Sequence, residues 1–246
     1  MSPSSSKRRP IQLTLDQARR PTGHGGWRPR AGRPRGKATC SHATRPAFAA
    51  SAPIHVTLRI VGGLPSLRRE RIVRAVRAVI AAGGHRDDFR VVHFNVLGNH
   101  LHLIIEAAGA PALARGMLGL NVRLARRINA VLGRTGSLLA QRYHARVLRT
   151  PREVRNAIRY VLLNGRHHAA ERGQVLAAGW LDPFSSALWF DGWRDTRAQA
   201  RVLPPWLRAL TRTPCPTAPP RTWLLTGGWR RGGGPIAIDD VPGPSP

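Results

Sequence analysis

The sequence predicts an α+β fold: a ferredoxin-like β-α-β-β-α-β core with an antiparallel sheet, followed by one more helix. Three observations carry this. Apolar and polar residues alternate in stretches at 54–61, 91–97 and 100–106, the two-residue period of half-buried strands. Apolar residues recur at helical spacing in 66–82, 111–132 and 151–164. Read in order, and with a short strand at Tyr143 to Leu148, the elements run β-α-β-β-α-β-α, and the first six match a split βαβ arrangement.

The first strand carries Ile54, Val56, Leu58 and Ile60 on one side and His55, Thr57 and Arg59 on the other. The first helix, 66–82, rests on Ile72, Val76, Val79 and Ile80 and stops at Gly83-Gly84. In the second strand Val92, Phe94 and Val96 alternate with His93 and Asn95. Gly98-Asn99 is a two-residue turn signal. It pairs Leu97 with His100, Asn95 with His102 and His93 with Ile104. In the third strand Leu101, Leu103 and Ile105 alternate with His100, His102, Ile104 and Glu106. The second helix, 111–132, uses Leu113, Met117, Leu120, Leu124, Ile128 and Val131. Thr150-Pro151-Arg152-Glu153 is a capping box with proline at the first helical position, opening a helix to about Asn164. Pro65, Pro111 and Pro151 all stand where helices are expected to begin.

Proline and charge divide the chain of 246 residues. Seven of 21 prolines lie in 1–53 and ten in 203–246. The expected organisation is a disordered basic arm at 1–52, a folded core at 53–170, a Trp-rich extension at 171–202 packing on it, and a disordered Pro/Gly-rich tail at 203–246. Lys plus Arg total 40 against 12 Asp plus Glu, a net charge of +28. The arm holds 11 cations and one acid, and residues 53–175 hold 21 and six. Such a charge calls for a polyanionic partner, nucleic acid first. A membrane is not indicated, because no long apolar run is present. Cys40 and Cys215 are too few for a cysteine-rich zinc module and fit a reducing compartment.

The polar sides of the three strands define one sheet face: His55, Thr57, Arg59, His93, Asn95, His100 and His102. His100 and His102 are i and i+2 on a strand, so both imidazoles point the same way. Two neutral imidazoles so placed can hold a divalent metal, with Asn95 as a ligand or as a partner behind one. The alternative is two partly exposed histidines on an open sheet face. On the helix 151–164 the apolar stripe is Val154, Ala157, Ile158, Val161 and Leu162. Tyr160 lies off it and is i, i+4 with Asn164. Arg155, Arg159 and Arg166 surround the pair. A tyrosine in that setting suits nucleophilic attack on a phosphodiester, with arginines favouring the phenolate and holding the phosphate. The alternative is a surface tyrosine covered by the Trp-rich extension. His144, His167 and His168 are read as solvated or phosphate-facing, not as ligands.

Taken together, these segments resemble a family. Gly98-Asn99-His100-Leu101-His102-Leu103-Ile104 resembles the HUH motif of single-tyrosine HUH transposases, in particular the REP-associated tyrosine transposases. Arg159-Tyr160-Val161-Leu162-Leu163-Asn164 resembles their nucleophile helix. Ile54-His55-Val56-Thr57-Leu58-Arg59 is similar to their first strand, and Arg142-Tyr143-His144 to the segment before that helix. Asp182-Pro183-Phe184-Ser185-Ser186-Ala187 with Trp189-Phe190-Asp191-Gly192-Trp193 is similar to an extension in part of the group. The resemblance implies Mg²⁺ or Mn²⁺ at His100, His102 and Asn164. It implies cleavage of single-stranded DNA, often beside a hairpin, by Tyr160 through a 5′-phosphotyrosine link, in a prokaryotic, cytoplasmic and nucleoid-associated protein. Relatives commonly have proline where this chain has Gly98 and Gly165, and glutamine is an alternative to Asn164 with longer reach.

In the arm, Gly32-Arg33-Pro34-Arg35-Gly36-Lys37 resembles an AT-hook, in which Arg33 and Arg35 would enter an A·T-rich minor groove. The alternative is a cationic tail acting through counterion release. The other DNA-contacting candidates are Arg59, Arg155, Arg159 and Arg166. Two rival functions remain open: a catalytically silent DNA-binding protein derived from such a transposase, and a metallohydrolase with no covalent intermediate. An RNA-recognition sheet is disfavoured because the polar face carries no aromatic residue. A homodimer and a monomer are both compatible with the sequence.

Overall fold

The computed structural model describes residues 47–194 and 213–243, all within the unit Cys40–Pro246. Arg33, Arg35 and the arm up to residue 46 lie outside the described residues, whereas residues 47–52, expected to belong to the disordered arm, are described, with Ala52 buried and Phe48 packed against the core. The protein is a mixed fold with one four-stranded antiparallel sheet. Its elements are β1 (Ile54–Arg59), α1 (Glu70–Gly83), β2 (Phe89–Val96), β3 (His100–Ala107), α2 (Ala110–Leu132), β4 (His144–Val147) and α3 (Pro151–Glu171), then a one-turn α4 (Trp223–Thr226). The strand order is β2-β3-β1-β4. The β2–β3 hairpin has the register that its turn predicts, with Asn95 opposite His102 and His93 opposite Ile104. Across β1, Thr57 is opposite His102 and Arg59 opposite His100.

Each sheet face has its own core. Ile54, Val56, Leu58, Phe94, Val96, Leu101, Leu103 and Ile105 pack with Ile72, Val76, Ile80, Leu113, Met117 and Leu124 of α1 and α2. On the opposite face, Val92 and Ile104 pack with Val154, Ile158, Val161 and Leu162 of α3 and with C-terminal apolar residues. The face expected to be open is therefore covered, and His55, His93, Asn95 and His102 are buried.

Four sequence expectations are corrected. Val92 does not share a side with Phe94. A bulge between Val91 and His93 turns Val91 towards α1 and α2 and sends Val92 to the other face; one extra residue in a strand reverses alternation locally. Helix α1 starts at Glu70, not beside Pro65. Leu67 is buried, its N–H bonds to Gly98 O at 2.8 Å, and Arg68 bonds to Val96 O and Asp182, so 65–69 is tied to the sheet and Asp182 as a non-helical segment. The capping box of α3 is formed, with Glu153 N donating to Thr150 Oγ1 at 3.2 Å. However, α3 runs seven residues past Asn164, to Glu171. Gly165 sits inside it, where a Cβ would lie 2.7 Å from Asp182 Oδ2 and 2.8 Å from the Trp180 ring. Close packing outweighs the roughly 1 kcal/mol that glycine costs in a helix.

The fourth correction concerns the expected disordered tail. Residues 213–243 pack on the protein: Trp229, Ile236 and Ile238 are buried in the second core with Phe190 and Trp193. Ser186 N donates to Phe94 O and Ala218 N to Val91 O, so C-terminal backbone pairs along the free edge of β2. Buried Glu106 accepts from the N–H groups of Arg221 and Thr222 just before α4, at 2.9 and 2.7 Å. Residues 195–212 lie outside the described set.

Candidate active site

The site is built where α3 crosses β3. Strand geometry turns His100 and His102 to the same face, with ring centroids 4.8 Å apart. His100 Nδ1–H donates to Asn99 Oδ1 at 2.7 Å, which leaves its Nε2 lone pair free. His102 Nδ1 lies 3.1 Å from His55 Nε2 and 3.2 Å from Thr57 Oγ1. With Nδ1–H as donor to these neighbours, His102 Nε2 carries a lone pair. That nitrogen is buried and has no hydrogen-bond partner. A hydrogen bond on one ring nitrogen that orients the other is the usual support of a metal-binding histidine.

The imidazoles are held neutral. Burial pushes the His102 pKa down to about 2, reinforced by His55, His100 and His168. Burial likewise lowers His100 to about 4, with His168 and Arg59 adding to the effect. His55 is lowered to about 4 by burial, then by His144 and Arg146. Lone pairs are thus available well below neutrality.

Helix α3 brings Tyr160 to this cluster. Its ring meets His102 edge-on at 5.1 Å and His55 at 6.0 Å. Only 7 % of Tyr160 is exposed, so it is a buried residue of the second core and not a surface tyrosine. One turn on, Asn164 is fully buried, and neither Oδ1 nor Nδ2 has a hydrogen-bond partner. Beside His100 lies a cleft of about 380 Å³, also lined by Ser66, Arg68, Gly165, His168 and Arg172.

Other expected residues are placed differently. Asn95 ties α3 to the sheet: its Nδ2 donates to Val161 O at 2.7 Å and, at 3.4 Å, to Asp182 Oδ2. It acts as a brace for α3, although its Oδ1 is also buried without a partner. Arg155 donates to Gly234 O at 2.8 Å, and Arg159 to Val241 O at 2.8 Å beside Asp240. Arg166 donates to Ala177 O, Trp180 O and Asp239. These three arginines bind the C-terminal segment, so they are engaged in the fold and not presented to a phosphate. Arg59 is exposed and stands opposite His100.

Sequence reasoning did not assign roles to His55, Thr57 or Asp182, and it read His168 as solvated or phosphate-facing. The first two were legible as face residues, but their contact with His102 follows from the β1–β3 register. Asp182 is fully buried, pairs with Arg68 at 2.9 Å and abuts Gly165. His168 enters through the extra turns of α3, beyond the expected helix end.

No protein-family model matches the chain, and no curated protein does. Among solved structures, the chain is similar to a REP-associated tyrosine transposase bound to a REP hairpin. The two share 16 % identity with a TM-score of 0.46, over 60 % of this chain and 82 % of that one.

Proposed function

We propose that the chain is a metal-dependent single-tyrosine HUH transposase, of the REP-associated type, that cleaves and rejoins single-stranded DNA at hairpin or repeat sequences. The observation that carries this reading is the Tyr160 ring against His102, whose inner nitrogen, like both side-chain atoms of Asn164, is buried without a partner. The order of the HUH-like and tyrosine-helix segments supports it. The strand order β2-β3-β1-β4 supports reading the core as ferredoxin-like.

The residues fit a divalent cation. Each buried polar atom left unpartnered costs about 1–3 kcal/mol, and a cation held by His100, His102 and Asn164 removes that cost for His102 Nε2 and Asn164 Oδ1, two of the three such atoms on His102 and Asn164. Two imidazoles and an amide oxygen suit Mn²⁺ better than the harder Mg²⁺. When bound, the ion supplies Lewis-acid polarisation of a phosphate oxygen. Tyr160 Oη forms a bond to the scissile phosphorus and the P–O3′ bond breaks. The products are a 5′-phosphotyrosine and a strand whose 3′-oxygen carries the proton lost by the phenol. Attack by another 3′-OH reverses the step and joins strands, since the covalent link conserves the bond energy. His55 and Thr57 hold His102 in its tautomer, and exposed Arg59 opposite His100, with Arg172 at the cleft, favours an incoming phosphate.

The test is covalent capture. Labelled hairpin DNA is incubated with Mn²⁺ and wild type, Tyr160→Phe or Tyr143→Phe, then denatured. Labelled protein is expected from wild type and Tyr143→Phe and not from Tyr160→Phe. An adduct that persists in Tyr160→Phe and vanishes in Tyr143→Phe overturns the nucleophile. Tight binding with no adduct in any of the three supports the silent DNA-binding protein instead.

A further inference from the structure

The last turn of α3 carries a second cluster of metal-ligand type, beyond Tyr160 and Asn164 and adjoining the cleft beside His100 through His168. His167, His168 and Glu171 each offer one ligand atom, and these atoms lie within 4.8 Å of one another. His167 Nε2 is 3.3 Å from Glu171 Oε1, and His168 Nδ1 is 2.6 Å from Glu171 Oε2. The carboxylate thus has an imidazole nitrogen at each oxygen. The His167–Glu171 separation matches the roughly 3.3 Å between ligands on a tetrahedral centre with bonds of about 2.0 Å, whereas the His168–Glu171 contact is a hydrogen bond that a bound ion would replace.

The tautomer of His167 points to a cation. Its Nδ1 lies 2.9 Å from Pro242 O, a carbonyl that can only accept, so Nδ1 carries a proton. Nε2 then faces the Glu171 carboxylate, a second acceptor. A neutral ring would set its lone pair against an anionic oxygen. Either a second proton or a cation must lie between them. A bound metal lets the ring stay neutral, and the Nδ1–H···O=C bond is then the outer support typical of a ligating histidine. The C-terminal end of a helix also favours positive charge. Glu171 is exposed and the histidines are partly so, which leaves room for water as a further ligand.

We propose that His167, His168 and Glu171 form a second divalent-metal site, of the imidazole–carboxylate class that takes Zn²⁺ or Co²⁺. It is independent of the reading of Tyr160. His168 also lines the cleft beside His100, so an ion here adds positive charge where an anionic group would enter.

The test titrates Co²⁺ into the full-length His100→Ala/His102→Ala protein and follows its visible absorption. One equivalent is expected to bind. Adding Glu171→Gln, or His168→Gln in a separate protein, is expected to weaken binding by at least about tenfold while far-UV dichroism is unchanged; both positions are at the end of a helix and Glu171 is exposed. Absence of Co²⁺ binding in the His100→Ala/His102→Ala protein overturns the site, as does binding that neither further substitution weakens. A protein with only Glu171→Gln is expected to keep its Mn²⁺ binding at His100 and His102, so failure at one site is distinguished from failure at the other.

Discussion

At the scale of single residues, the histidines under α3 combine burial with neutrality, and this has a consequence for pH. His93 is 9 % exposed and burial lowers its pKa to about 4; His55, His100 and His102 are lowered as well. In the unfolded chain these rings titrate near 6.5. Between those values the unfolded state binds more protons, so stability falls as pH falls. The contribution is intact above about pH 6.5 and is lost as pH drops towards 4. For His93 alone the limit is about 3 kcal/mol at 1.36 kcal/mol per unit. Calorimetric melting from pH 7.5 to 4.5 is expected to show a plateau and then a steep fall; a midpoint that rises on acidification contradicts the burial argument. Asn164 gives a second prediction. Its amide is fully buried without a partner, so Asn164→Leu is expected to stabilise the metal-free protein by about 1 kcal/mol, near 2–4 °C in Tm. The same variant should lose Mn²⁺ affinity by calorimetric titration. A lower Tm in the metal-free protein would show that the amide has a structural partner.

At the scale of elements, the legible and the illegible parts separate by sequence distance. Gly98-Asn99 makes the β2–β3 register readable, and Thr150 with Glu153 makes the start of α3 readable, because each signal lies within four residues of its effect. His100, His102, Tyr160 and Asn164 were readable as candidates for the same reason. The end of α3 was not, because Gly165 is kept helical by Trp180 and Asp182, contacts made only in the folded chain. Nor was the engagement of Arg155, Arg159 and Arg166, which bind Gly234 O, Val241 O and Asp239 at separations of 79, 82 and 73 residues, Arg166 also reaching Ala177 O and Trp180 O. The tail misled because Trp229, Ile236 and Ile238 stand among glycines and prolines with no helical or strand period. Two substitutions test this packing. Gly165→Ala removes a helix penalty of about 1 kcal/mol but adds a methyl where 2.7 Å is available. Overpacking costs about 1–3 kcal/mol, so net destabilisation is expected in urea unfolding. Trp229→Ala is expected to cost about 3–5 kcal/mol, whereas a tail that does not pack would leave the unfolding midpoint unchanged.

At the scale of the whole molecule, net charge and usable charge differ. The chain carries +28, yet several core arginines are occupied by carboxylates and carbonyls of the protein itself. Arg90 is buried against Glu106 and Pro219 O, and Arg68 pairs with Asp182. Arg159 holds Val241 O and Asp240. An arginine so held releases no counterion when DNA binds, whereas an exposed one does. For single-stranded DNA each neutralised phosphate contributes a slope of about −0.7 to log K against log salt. Affinity for a hairpin with a single-stranded flank is therefore expected to fall steeply with salt. Arg59→Ala, at an exposed position opposite His100, should reduce the slope by about 0.7, since one phosphate contact is lost. Arg159→Ala should leave the slope unchanged and lower the melting temperature, because its partners are within the fold. Deleting 1–45, which removes 11 Lys/Arg and one Asp, a change of −10 in charge, should flatten the slope most while the cleavage position stays the same. Filter binding across a salt series checks all three. A slope altered by Arg159→Ala but not by Arg59→Ala would mean that the C-terminal segment leaves α3 when DNA binds, and that the DNA runs along the helix face it now covers.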